Sequence, residues 1–195
     1  MKKSIEELSL PSVEQLEEEL NRLSSQKKYK STLRSTVAVL LVVAAVAVLI
    51  STTFLPVLRI YGTSMNPALN NGDVVIALRS GSYQRGDVIA FYYNNKILVK
   101  RVIGLPGEII NVESDGTVTV DGEPLEEPYL TEKSLGECTI ELPYEVPEGR
   151  YFVMGDNREV SSDSRSESIG CAAEEQIVGK LVFRVWPLGE FGLAG

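Results

Sequence analysis

The stretch YGTSMNPALNNGD, residues 61–73, sets Ser64 between a Gly-Thr pair and a Met-Asn-Pro turn. Small residues before a serine and a proline shortly after it favour a hydroxyl displayed on a loop, the posture of a nucleophile. The chain contains no histidine. Ser-His-Asp and Cys-His systems are therefore excluded, as are the common histidine-containing zinc sites. Near neutral pH the bases that remain are carboxylates and an amine with a depressed pKa. A free lysine titrates near ~10.4 and serves only where desolvation or a neighbouring cation keeps it neutral.

KILVKRVIGLPGE, residues 96–108, offers such a lysine. As a strand it places Lys100 on one face with Leu98 and Val102, and Arg101 on the other with Val99 and Ile103. Apolar flanks and an adjacent cation both favour the neutral amine. Each stretch also has a plain reading. Lysines in strands commonly snorkel to water, and a serine beside glycine and asparagine commonly stabilises a turn. A third stretch, MGDNREVSSDSR (residues 154–165), adds Asp156, Arg158, Ser161, Asp163 and Arg165. Two acids and two arginines at parallel spacing read as a solvated loop, or as an ion-paired scaffold that holds a small hydroxyl against an amine.

Something must position these groups. After Pro56 the chain has β texture: DVVIAL, DVIAFYY, KILVKRVIGL, TVTV and KLVFRVW are short β-branched and aromatic runs. Asn70-Asn71-Gly72-Asp73, Gly81-Ser82, Asp115-Gly116 and Asp121-Gly122 separate them as turns. IINVESDGTVTV reads as a hairpin turning at Asp115-Gly116. Before Pro56 no charge falls between Arg34 and Arg59, and Ser35–Leu55 is 21 residues long. As a helix that length crosses a hydrocarbon core of roughly 30 Å. It is apolar all round, unlike the striped helix of a soluble core. The glutamate-rich segment ahead of it is unlike the short basic start of a cleaved secretory signal. Lys27, Lys28, Lys30 and Arg34 precede the span, which places the N-terminus in the cytoplasm and residues 56–195 outside. Within residues 1–34, Ser12 and Gln15 form a capping-box pattern that starts a short helix. Val13, Leu16, Leu20 and Leu23 repeat for fewer than two heptads, so a surface helix is the plainer reading.

The net charge of −8 is unevenly spread. Residues 1–34 carry 7 Lys and Arg against 6 Asp and Glu, and the remainder 12 against 21. So acidic a region repels phosphate backbones, and nucleic acid is not an expected partner. Cys138 and Cys171 can pair or stay free.

In order along the chain, GTSMNPAL, VKRVIGLPGE and GDNREVSSDSR resemble the motifs of bacterial type I signal peptidases. These are membrane-anchored serine proteases that remove signal peptides from exported proteins. The resemblance covers the anchor and most of residues 56–195. It implies Ser64 as nucleophile and Lys100 as general base, with Ser161 orienting the lysine. Asp163 and Arg165, with Asp156 and Arg158, match the family's supporting network. The backbone at Ser64, with the Gly62 region, corresponds to the oxyanion hole, and Ile60 and Val99 fall where the family lines its substrate pockets. Gly62 stands where one branch has a serine completing the oxyanion hole; glycine there and a single anchor resemble the Gram-positive branch. Ala68 and Val160 replace a usual threonine and asparagine, and neither change removes a catalytic group.

The fold implied is mostly β: a catalytic ectodomain (56–195) behind one transmembrane helix (35–55) and a cytoplasmic helical segment (1–34). The activity implied is an endopeptidase at the outer face of the cytoplasmic membrane, acting on exported preproteins and selecting small side chains. Membrane lipid is a further partner, and no cofactor or metal is required. Two rivals stand beside it: a peptidase of the same dyad class with a narrow substrate, and a non-catalytic anchored β scaffold.

Overall fold

The computed structural model describes residues 12–194, so the first eleven residues of the N-terminal segment lie outside the described residues. Helix α1 (Val13–Phe54) is 42 residues long and continuous through the apolar span. The short helix and the anchor read separately from the sequence are thus one element. The capping box forms as expected: the Gln15 N–H donates to Ser12 Oγ at 3.3 Å, and the Ser12 N–H donates to Gln15 Oε1 at 3.1 Å. Pro56 lies two residues beyond the helix end, where its missing N–H and ring forbid continuation. The helix to Ile50 and the body from Ser51 are separate compact units.

The body is β-rich. Among the described residues the strands are β1 (Val57–Arg59), β2 (Val74–Leu78), β3 (Val88–Tyr93), β4 (Lys96–Gly104), β5 (Ile109–Val112) and β6 (Val118–Val120). There follow β7 (Glu123–Pro124), β8 (Tyr144–Glu145), β9 (Arg150–Met154), β10 (Ala172–Ala173), β11 (Ile177–Trp186) and β12 (Gly192–Leu193). The larger sheet runs β1-β2-β11-β3-β4-β9-β10, with β12 added to β11, and every pairing is antiparallel. The smaller runs β7-β6-β5-β8. Its β5–β6 hairpin is the one expected, with Val112 opposite Val118 and Gly116 at φ +85°, a conformation that glycine adopts without penalty.

Alternation along the strands sorts side chains into different cores. On β9, Phe152 and Met154 join the core beneath the small sheet, whereas Tyr151 and Val153 join a second cluster with Ile89 and Phe91. On β4, Leu98 and Val102 pack with that second cluster, while Val99 packs against a third containing Ile60, Met65 and Leu69. This third cluster draws on β2, β3 and β11 and is joined by Leu58 of β1 and Val99 of β4. Its members come from strands that span five positions of the sheet, so the sheet curls around it. Register shifts in β11 against both β2 and β3 supply local twist. Cys171 is buried and Cys138 half-buried, and both thiols are free. Burial pushes the Cys171 thiol up to about 11.

Candidate active site

Ser64 sits on the loop that joins β1 to β2. Two backbone bonds close the base of this loop: the Ile60 N–H donates to the Asp73 carbonyl at 2.8 Å, and the Gly72 N–H to the Ile60 carbonyl at 2.9 Å. Met65 and Leu69, buried in the third cluster, hold its inner face. Such a loop displays its serine because the residues on either side are pinned. The Ser64 carbonyl accepts the Asn157 N–H at 3.0 Å, which ties the β1–β2 loop to the GDNREVSSDSR segment.

Lys100 projects from β4, opposite Ile89 of β3, and is 4 % exposed. Its Nζ lies 2.7 Å from Ser64 Oγ. Burial lowers the Lys100 pKa from its ordinary value. The Asp163 carboxylate opposes that lowering, the Arg165 guanidinium adds to it, and Asp156 opposes it. The cation expected to help, Arg101, does something else. Its Nε and Nη2 form a two-point pair with Asp156 at 2.8 and 2.7 Å, and its Nη1 donates to the Gly86 carbonyl. The guanidinium also lies over the Tyr129 ring, 4.1 Å from the centroid. Arg101 is therefore neutralised where it stands, and desolvation is the main cause of the lysine's shift.

The polar segment is a scaffold, but its pairing differs from the parallel one expected. Asp163 does pair with Arg165, Nε to Oδ1 at 2.8 Å and Nη2 to Oδ2 at 2.9 Å, with both side chains fully buried. Burial alone would raise the Asp163 carboxyl, and the Arg165 bonds more than offset this and hold it below its usual value. Asp156 pairs with Arg101 and not with Arg158. Arg158 reaches Glu127 instead, again buried on both sides. Arg165 also donates to the carbonyls of Leu135, Arg158 and Ser161, so one guanidinium ties the polar segment to itself and to the stretch at Leu135. Sequence reading missed Glu127, Tyr129 and the structural use of Arg101. Their partners lie too far along the chain for spacing to signal them.

Ser161 is 2 % exposed and adjoins this network, yet its Oγ has no hydrogen-bond partner among the described residues. The bond to Lys100 that the resemblance implied is not formed here. Gly155 explains how closely these groups approach. A Cβ on it would lie 2.2 Å from Ser161 Oγ and 2.4 Å from the Ser64 carbonyl. Gly155→Ala is accordingly expected to displace the serine and cut kcat by about 10²-fold, the cost of roughly 1 Å of misplacement. Steady-state kinetics check this, and wild-type kcat would show that the loop can yield.

At the expected oxyanion site, the Ser64 N–H has no acceptor among the described residues. Gly62 has φ +93°, and its N–H already donates to Asn71 Oδ1 at 3.1 Å. Its amide is thus occupied, and a serine there would be strained. Ile60 and Val99 both line a cleft of about 590 Å³, together with Ser64 and Lys100. The cleft walls are β1 with its continuation to Gly62 and the first half of β4. On β4, pairing with β9 begins only at Arg101, which leaves the Lys96–Lys100 edge open on that side.

A β-rich body behind an apolar helix, with a serine hydroxyl meeting a desolvated amine in an open cleft, is the layout of a serine peptidase that needs no histidine. Comparison with known proteins identifies its kind. Residues 33–186 match the family model for Signal peptidase, peptidase S26. Signal peptidase IB of Staphylococcus aureus is 40% identical over 152 residues, 68% of this chain and 78% of that protein. Signal peptidase I of Bacillus licheniformis is 33% identical over 174 residues, 83% of this chain and 92% of that protein. The crystal structure of a signal peptidase I from Enterococcus faecalis is 36% identical, with a TM-score of 0.42, and covers 52% of this chain and 97% of that one. The chain belongs to the signal peptidase family, peptidase S26. It is a membrane-anchored serine endopeptidase.

Proposed function

We propose that this signal peptidase cleaves exported preproteins with Ser64 as nucleophile and Lys100 as general base. The observation that carries the reading is the 2.7 Å contact between Ser64 Oγ and an amine that is 4 % exposed. Neutral Lys100 takes the Ser64 proton as Oγ attacks the scissile carbonyl. The resulting ammonium gives that proton to the departing amine, leaving an acyl-enzyme. Lys100 then takes a proton from water, the hydroxide attacks the ester, and the proton returns to Ser64 Oγ as the acid leaves. The Ser64 N–H serves the oxyanion, an interaction typically worth about 3 kcal/mol. With the Gly62 amide engaged, a second donor has to come from another group. Ser161 Oγ, buried beside this site and unbonded, is free to accept from Lys100 once the serine has reacted. Asp163–Arg165, Asp156–Arg101 and Arg158–Glu127 keep the loops in register.

An extended substrate fits the open β4 edge by strand addition, with Ile60 and Val99 shaping the pocket for a small side chain. The N-terminus lies in the cytoplasm, and the body works against the outer lipid surface, as the cluster of cations before the apolar span favours. No metal, cofactor or nucleic acid enters these steps. The non-catalytic scaffold is not favoured, because the family is enzymatic and the dyad atoms are in contact.

The pH profile tests the base. Cleavage rises with pH as Lys100 loses its proton, with a midpoint below the ordinary lysine value because burial lowers it. Asp163→Asn removes a charge that favours the ammonium, so the limb moves to lower pH. A rate flat from roughly pH 6 to 10 would rule out a neutral-amine base.

A further inference from the structure

Arg184 of β11 lies outside all three motifs, yet its guanidinium closes on the loop that carries Ser64. Nη2 donates to the Ala68 carbonyl at 2.7 Å, and Nη1 lies 3.2 Å from Asp73 Oδ2. Asp73, 3 % exposed, is the clasp at the base of that loop. Its carbonyl takes the Ile60 N–H, and its carboxylate takes the Asn70 N–H at 3.0 Å. One side chain thus grips the loop at two points downstream of the serine. It is 12 % exposed, so water screens the contact little.

The last described residues hold Arg184 from the other side. Glu190, in a 3₁₀ turn (Leu188–Glu190), bonds Nη1. Phe191 packs on Phe183 of β11 with ring centroids 5.1 Å apart, and β12 pairs with β11. Ala194, 7 % exposed, joins the same cluster as Ile60, Met65 and Leu69, the residues that anchor the loop. Residues 187–194 therefore supply a carboxylate to Arg184 and packing beneath the nucleophile loop.

We propose that Arg184 is a positioning residue for Ser64, and that the segment after β11 is the clip that aligns it. This rests on Ser64 being the nucleophile. Only a planar fork of donors spans the Ala68 carbonyl and two carboxylates at once; a lysine ammonium has the charge without the reach. The Ser64 Oγ must sit on both the attack line and the Lys100 bond. Slack in the loop therefore appears in the chemical step, while the strand edges that receive substrate stay in place.

The test compares full-length wild type, Arg184→Ala, Arg184→Lys and Glu190→Gln in detergent micelles, with Ser64→Ala as control. Arg184→Ala is expected to lose about 10- to 100-fold in kcat with KM within about twofold, and millimolar guanidinium to restore several-fold. Arg184→Lys stays low and Glu190→Gln falls about threefold. Amide hydrogen exchange speeds up across residues 61–73 and is unchanged across β3 and β4. Wild-type kcat in Arg184→Ala overturns the proposal. So does a loss that guanidinium does not restore, accompanied by faster exchange across β3 and β4, because Arg184 would then serve fold stability alone. Should Arg184→Ala fail to fold, wild-type kcat in both Arg184→Lys and Glu190→Gln has the same force. An active Ser64→Ala would sink the nucleophile assignment instead, and that outcome is read separately from the Arg184 series.

Discussion

Lys100→Met leaves a folded, anchored protein that cleaves preprotein at least ~10³-fold more slowly than wild type, the scale of a lost general base. Ser64→Ala falls as far. Combining the two costs little more than either alone, because residues that act as a unit are strongly non-additive. The methionine substitution is informative because it keeps most of the buried stem and removes only the amine. Lys100 is 4 % exposed, and its Nζ bonds Ser64 Oγ, so the replacement vacates no ion pair. The melting temperature should hold or rise, since the wild-type amine is itself desolvated. Near-wild-type cleavage by Lys100→Met, measured on a purified preprotein, would eliminate the dyad.

Asp163→Ala is the replacement expected to damage the fold most. It strands the Arg165 guanidinium at 0 % side-chain exposure, with carbonyls but no carboxylate. Breaking a buried pair from one side costs about 3–5 kcal/mol. For a chain of this size, that corresponds to a fall of about 6–20 °C in melting temperature. Replacing both partners with apolar residues, Asp163→Leu with Arg165→Met, should recover part of the loss, because no charge is then left buried. Urea or thermal unfolding decides it. A loss under ~1 kcal/mol would mean that water reaches the guanidinium once the carboxylate is gone.

Much of the site is legible in the sequence. With no histidine to use, Ser64 pointed to an amine, and the alternation of KILVKRVIG put Lys100 between Leu98 and Val102, which do share a core cluster. Asp163–Arg165 was also legible, because the partners are two residues apart and meet through local geometry. The same logic failed for Asp156 and Arg158. Asp156 bonds Arg101 across 55 positions and Arg158 bonds Glu127 across 31, so spacing carried no signal of either. The same holds for Arg101: the cation next to Lys100 in sequence is cancelled by a carboxylate from the loop that follows β9. The Gly62 N–H donates to the Asn71 side chain nine residues on, a partner that spacing does not signal.

Composition and order alone therefore determined the kind of chemistry, the apolar anchor and the β character of the body. These depend on residue type, on run length and on periods of two, which a chain carries in its own order. Tertiary structure decided whether the amine is neutral and whether it touches the serine. The curled sheet carries the β1–β2 loop over to β4, so that groups 36 residues apart lie within 2.7 Å. Burial then strips water from Lys100 with side chains drawn from several strands. Desolvation belongs to that assembled environment, and no local pattern in the chain contains it.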